Sequence, residues 1–198
     1  MRGYIVIKNL RTGESRRAYG VFTRNMAYLL LHVLNICDTL NEEKTLKNVL
    51  GEEHNIYTRV NALIQSNIFF YQNIYTYLSN VSVENPAKVG LMALLTQSDY
   101  IPTPDDYTVP TLDLMIELSS KQIVLNNNNT IIIFTGSAIT PNPITVKGVG
   151  IANALYPRLI SDSGGSYPRI FLIDGFAINP IEFSANDVVS VSYRITLA

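Results

Sequence analysis

The second half of the chain constrains the fold most, because short β-branched runs recur there between clusters of Gly, Pro and Asn. Residues 112–118, 121–125, 130–135, 144–154, 169–173, 177–183 and 188–197 each read as a strand. In the last of these Val189, Val191, Tyr193, Ile195 and Leu197 alternate with Ser190, Ser192, Arg194 and Thr196. Successive side chains of a strand point to opposite faces, so this run has one buried and one wet side. Seven short strands at turn-marked spacing predict a sandwich or barrel-like β domain. Asn126–Asn129 supplies a polar turn within it, and the glycines of Gly136-Ser137 and Ser163-Gly164-Gly165-Ser166 read as turn markers rather than phosphate-binding loops.

The first half reads differently. Residues 4–10 alternate, Arg11-Thr12-Gly13-Glu14 has turn chemistry, and residues 16–22 return as a second strand, which together predict a β-hairpin. Thr23 or Asn25 is placed to cap a helix whose Met26, Leu29, Leu30, Val33, Leu34 and Cys37 share one face. Asn41-Glu42-Glu43 and Gly51 bracket a short helix over 41–50, and 55–78 keeps a helical period. The second face of that long helix carries Phe69, Phe70 and Tyr75, a greasy strip that either a partner subunit or the chain's own sheet would cover. The expected fold class is therefore α+β: an antiparallel β-sandwich with an N-terminal β-hairpin and a helical insertion. Its parts are residues 1–40, a hairpin and helix joining the β domain; 41–86, the helical insertion; and 87–198, the sandwich.

Little in the sequence suggests catalysis. One Cys, placed on a helical stripe, and two His exclude a Cys cluster and leave a zinc site only if His32 and His54 meet around carboxylates, so no metal or cofactor is expected. Asp105-Asp106 lies between prolines in an extended segment, where neighbouring side chains diverge, and reads as a loop. No Ser, His and Asp trio stands out, and the reading is not an enzyme. Lys8 interrupts the N-terminal apolar run before a secretory core forms, and no apolar stretch is long enough to cross a bilayer, so neither cleaved export nor a membrane span is expected.

Charge is sparse, at 16% of residues, while 19 Asn supply much of the polar surface. The net charge of −1 is uneven: residues 1–24 hold six Lys and Arg against Glu14 alone. Arg11, Arg16, Arg17 and Arg24 thus mark a candidate DNA- or partner-facing basic hairpin, with an ordinary solvated hairpin as the other reading.

Two stretches together resemble virion structural proteins (tail, neck, adaptor or fibre) of tailed phages and related bacterial or archaeal viruses. One is Ile7-Lys8-Asn9-Leu10-Arg11-Thr12-Gly13-Glu14 leading into Phe22-Thr23-Arg24-Asn25 and an apolar helix. The other runs from Val146-Lys147-Gly148-Val149-Gly150-Ile151 through Asn179-Pro180-Ile181-Glu182-Phe183 to the terminal strand. The resemblance implies a C-terminal β-sandwich in a repeated, non-enzymatic subunit of the virion. Its partners would be further copies in a ring or fibre and other virion proteins, to which the charge of the basic hairpin adds genomic DNA by non-specific contact. The alternative is a fibre-tip module binding a receptor or glycan, with Tyr156, Tyr167 and Tyr193 as stacking platforms.

Overall fold

The computed structural model describes residues 2–28, 43–57, 91–125, 129–155 and 169–197. Their strands are β1 (Arg2–Asn9), β2 (Ser15–Tyr19), β3 (Val21–Phe22), β4 (Glu43–Lys47), β5 (Glu53–Tyr57), β6 (Leu91–Thr96), β7 (Leu114–Glu117), β8 (Ser120–Leu125), β9 (Thr130–Ile139), β10 (Ile144–Leu155), β11 (Arg169–Phe183) and β12 (Val188–Leu197). Two five-stranded antiparallel sheets form, one in the order β2-β1-β12-β9-β8 and the other β3-β11-β10-β6-β7, with β4-β5 a separate pair. The architecture is a mostly antiparallel β-sandwich.

The two sheets differ in how many faces they bury. The first has one dry side: Ile5, Ile7, Val189, Val191 and Tyr193 enter the core between the sheets, while the intervening residues face outward. The alternation of β12 is this one-sided burial, although Leu197 at its end is exposed. The second sheet is dry on both sides. Leu91, Ala93 and Leu95 of β6 meet the inter-sheet core, and Met92 and Leu94 pack beneath Val49, Tyr100 and Val109. A strand covered on both faces reads as an unbroken apolar run, which is the pattern of Leu91–Leu95.

Four sequence expectations are corrected. No helix occupies 43–50, residues 41 and 42 lying outside the described residues: β4 pairs with β5 in antiparallel register. The turn between them forms because the Asn48 side-chain oxygen accepts from the Leu50 and Glu52 amides, Gly51 takes a positive φ of 84°, and the Val49 amide donates to Ile170 of β11. Residues 55–57 belong to β5, so a helix does not begin at 55. The strands expected at 169–173 and 177–183 are one strand, because β10 pairs through the gap, with Val149, Gly150 and Ile151 opposite Phe176, Gly175 and Asp174, and the irregularities in register fall on either side of it. Gly136 marks no turn; it lies inside β9, where a side chain would collide with the Glu117 backbone. Residues 24–28 are helical and begin at Thr23, whose hydroxyl accepts from the Met26 amide. The rest of that expected helix, most of 55–78 and Asn126–Asn128 lie outside the described residues.

The chain passes from the first sheet to the second at Gly20, between β2 and β3. Its amide donates to the Gly3 carbonyl at 3.1 Å, and a Cβ on either glycine would overlap the carboxyl group of Asp174, which reaches in from β11. Close approach, rather than backbone freedom, therefore excludes a side chain here. Gly20→Ala is expected to lower the unfolding free energy by about 1–3 kcal/mol through overpacking, measured as a lower urea midpoint at unchanged slope.

Candidate functional site

The candidate basic residues occupy different surroundings. Arg11 sits in the β1–β2 turn and is tied to the β11–β12 turn: its Nε lies 2.7 Å from Asp187, and its Nη2 donates to Ser184 at 2.9 Å. Asn9 completes this junction, accepting from the Arg11 and Thr12 amides and donating to Asp187. Arg16 pairs with Glu14, and Arg24 with Asp105 at 2.6 Å. Arg17 alone of the four is exposed with no ion pair among the described residues. The structure does not bring the four together as one cationic patch; three of them are neutralised locally.

Other cations share a face with Arg17. In antiparallel strands directly opposed residues point the same way. The register sets Tyr19 beside Tyr4 and Arg17 beside Val6 across β2 and β1, and Tyr4 beside Arg194 and Lys8 beside Ser190 across β1 and β12. Arg2, Lys8, Arg17 and Arg194 thus lie exposed on the outer side of the first sheet, and no Asp or Glu occupies an outward position of β1, β2, β8, β9 or β12. The Arg2 guanidinium lies 3.6 Å from the Tyr19 ring centroid, and the Tyr4 and Tyr19 rings are 5.2 Å apart. Sequence reasoning missed Arg2, Lys8 and Arg194 as members of a set. The i, i+2 spacing of Arg2, Tyr4 and Lys8 was a usable signal for β1, but nothing local places Arg194 against them.

Outward on β9 and β8 the surface turns aliphatic, with Ile131, Ile133 and Val124. Along β8 itself Ile123 and Leu125 point toward the core side of the sheet yet remain 65% and 75% exposed. No strand among the described residues pairs with the outer edge of β8.

Two small clefts are lined in part by charged side chains. One of about 410 Å³ opens at the Arg11–Asp187 junction beside Glu14, Gln97 and Glu182, and another of about 230 Å³ lies among Arg24, Lys47, Glu53 and Asp106. Asp105 and Asp106 do not work as a pair, since Asp105 faces Arg24 while Asp106 accepts from the amide and hydroxyl of Thr103. His54 is buried, edge-on to Phe171, and takes a hydrogen bond from Asn48. No three metal-ligating side chains cluster among the described residues, and no helix among them is long and apolar enough to cross a membrane. Tyr193 is not a stacking platform: it is fully buried, and its hydroxyl donates to Asp174 at 3.1 Å. Phe69, Phe70, Tyr75, Tyr156, Tyr167, His32, Cys37 and Ser163–Ser166 lie outside the described residues.

Two buried carboxyl groups are pushed in opposite directions. Desolvation raises Asp174 from 3.8 to about 7, against the hydrogen bonds from Tyr193 and the Gly175 amide that favour its charged form. At Asp187 desolvation also pulls upward, but hydrogen bonds from Asn9 and Ser184 and the charge of Arg11 outweigh it and hold the group below the ordinary carboxylate value. Asp174 lines neither cleft, so its perturbation belongs to the packing between the sheets.

No protein-family model, curated protein or solved structure matches this chain.

The two carboxyl groups give opposite pH dependences by linkage. The contribution of Asp174 is fully present below about pH 4 and is lost as pH rises through about 7; that of Asp187 is present above the ordinary carboxylate value and is lost in acid. Asp174→Asn is expected to flatten the decline in stability between about pH 4 and 7 and to raise the melting temperature on the alkaline side. Asp187→Asn is expected to lower the melting temperature at neutral pH and leave it nearly unchanged in strong acid. Thermal melts across pH check both.

Proposed function

We propose that this chain is a non-enzymatic structural subunit that assembles with copies of itself, as an oligomeric tail or neck component of a virus particle. The exposure of Ile123 and Leu125 along the unpaired edge of β8 carries the reading. An edge strand offers free N–H and C=O groups to another chain, and monomeric proteins usually blunt such edges with charge, proline or a bulge. Here the edge carries apolar side chains, and Ile131, Ile133 and Val124 extend the aliphatic surface onto the adjoining outer face. Only Lys121 charges the strand. Sparse ionisation elsewhere suits a surface that becomes interface, because unpaired charge is costly to bury between subunits.

The virion assignment rests on the resemblance of the opening turn and the closing strands, and the β-sandwich agrees with it without being specific to it. In this reading the partners are further copies in a ring or fibre, neighbouring virion proteins, and packaged DNA held by non-specific phosphate contact.

Native mass spectrometry of the purified chain should find a discrete oligomer, and Ile123→Lys combined with Leu125→Lys should convert it to a folded monomer. A wild-type chain that stays monomeric at its highest soluble concentration would overturn the assembly. For the virion assignment, purified particles should contain the chain at fixed copy number.

A further inference from the structure

From the outer face of the first sheet we infer that its β2-β1-β12 part is a binding surface for single-stranded nucleic acid, with four cations on the phosphates and Tyr19 stacking against an unpaired base. Outward residues recur about every 7 Å along a strand, and neighbouring strands lie about 5 Å apart. On that lattice Tyr19, Tyr4 and Arg194 form one row, Arg2 lies beside Tyr4 along β1, Arg17 lies beside Tyr19 along β2, and Lys8 stands two outward positions from Tyr4. The cations therefore surround the ring pair instead of being scattered. No outward carboxylate on the sheet's five strands offsets them. Ser190, Ser192, Thr135 and Ser137 add hydroxyl groups on the same face, able to donate to phosphate oxygens.

Charge alone would suit any polyanion, and the rings favour a nucleic acid. Tyr19 is 58% exposed, although Arg2 covers one side of it and Tyr4 leans against it with the planes 52° apart. An exposed tyrosine braced by guanidinium and a second ring is a platform for a base, whose whole ring is a flat π-face; a polyglutamate chain has no such face, and a sulfated sugar offers only the smaller C–H face of its ring. A duplex keeps its bases within the helix, so the ring contact selects unpaired strands. The surface is separate from the β8 edge, and the inference stands independently of the assembly proposed above.

Fluorescence anisotropy with a labelled oligo-dT tests it on the full chain. Binding should weaken with salt, log Kobs against log salt having a slope no steeper than about −3 for four phosphate contacts on a single strand. Arg17→Glu and Lys8→Glu should each reduce affinity more than roughly ten-fold at low salt and make the slope shallower. Tyr19→Ala should weaken oligo-dT about ten-fold while leaving duplex binding nearly unaltered, and Tyr19→Phe should retain affinity. Arg24→Ala, which changes a residue held by Asp105 away from this face, should have no effect. Circular dichroism establishes that each variant folds. Absence of oligo-dT binding at low salt would overturn the inference, as would equal affinity for heparin or polyglutamate together with indifference to Tyr19→Ala. The β8 variants should bind oligo-dT through the same residues, so failure of assembly and failure of nucleic-acid binding are separable.

Discussion

The first and last strands of the chain lie side by side in the middle of one sheet, with Arg2 opposite Thr196 and Asn9 opposite Val189. Much of the molecule depends on that register. It sends Ile5, Ile7, Val191 and Tyr193 inward together, and it brings Tyr4 and Arg194 together outside. Because the side-chain period is two, slipping β1 by a single residue against β12 would exchange its faces, putting Arg2 and Lys8 into the core. Burial of the apolar set thus also specifies the cationic surface; the two sides of one ladder cannot be chosen separately.

Polar groups at opposite places along the sandwich reinforce that pairing by different physics. At the turn end, Asn9, Arg11 and Asp187 join the β1–β2 turn to the β11–β12 turn through charge-assisted hydrogen bonds. Where the chain changes sheets, Asp174 fills the space left by Gly3 and Gly20 and accepts from Tyr193, without a compensating cation. The first carboxyl group is stabilised as an anion and the second as a neutral acid. A neutral carboxylic acid between the sheets can be accommodated where a charge would be costly, since low polarizability around it penalises ionisation.

The second sheet has little surface to offer a partner, being covered on its outer side by Val49, Tyr100 and Val109. Both proposed contacts accordingly use the first sheet, whose outer side divides into a cationic, tyrosine-bearing part over β2, β1 and β12 and an aliphatic part over β9 and β8. Among the described residues the aliphatic part adjoins the β8 edge and the cationic part the β2 edge, which carries Arg16 and Arg17. Placing self-contact at one and polyanion contact at the other leaves both available at once.

The extent of legibility follows from the range of the forces involved. Residues 188–197 were readable as a strand because one-sided burial imprints a period of two on the sequence, and β12 has those same bounds. Residues 41–50 carried a helical cap and a glycine stop after them, yet Asn48 and the contact of Val49 with β11 make a turn at 48–51, a competition decided by distant backbone. Arg11, Arg16 and Arg24 looked like one cluster because they are near in sequence; their carboxylate partners disperse them. The amino-acid sequence by itself determined most of the strands beyond residue 111, which residues of β12 are apolar, and that charge is scarce, with its cations biased toward the N-terminus. Tertiary structure alone decided which cations stand free and which tyrosines see solvent, because cross-strand register joins residues nearly two hundred positions apart and no local pattern encodes that alignment.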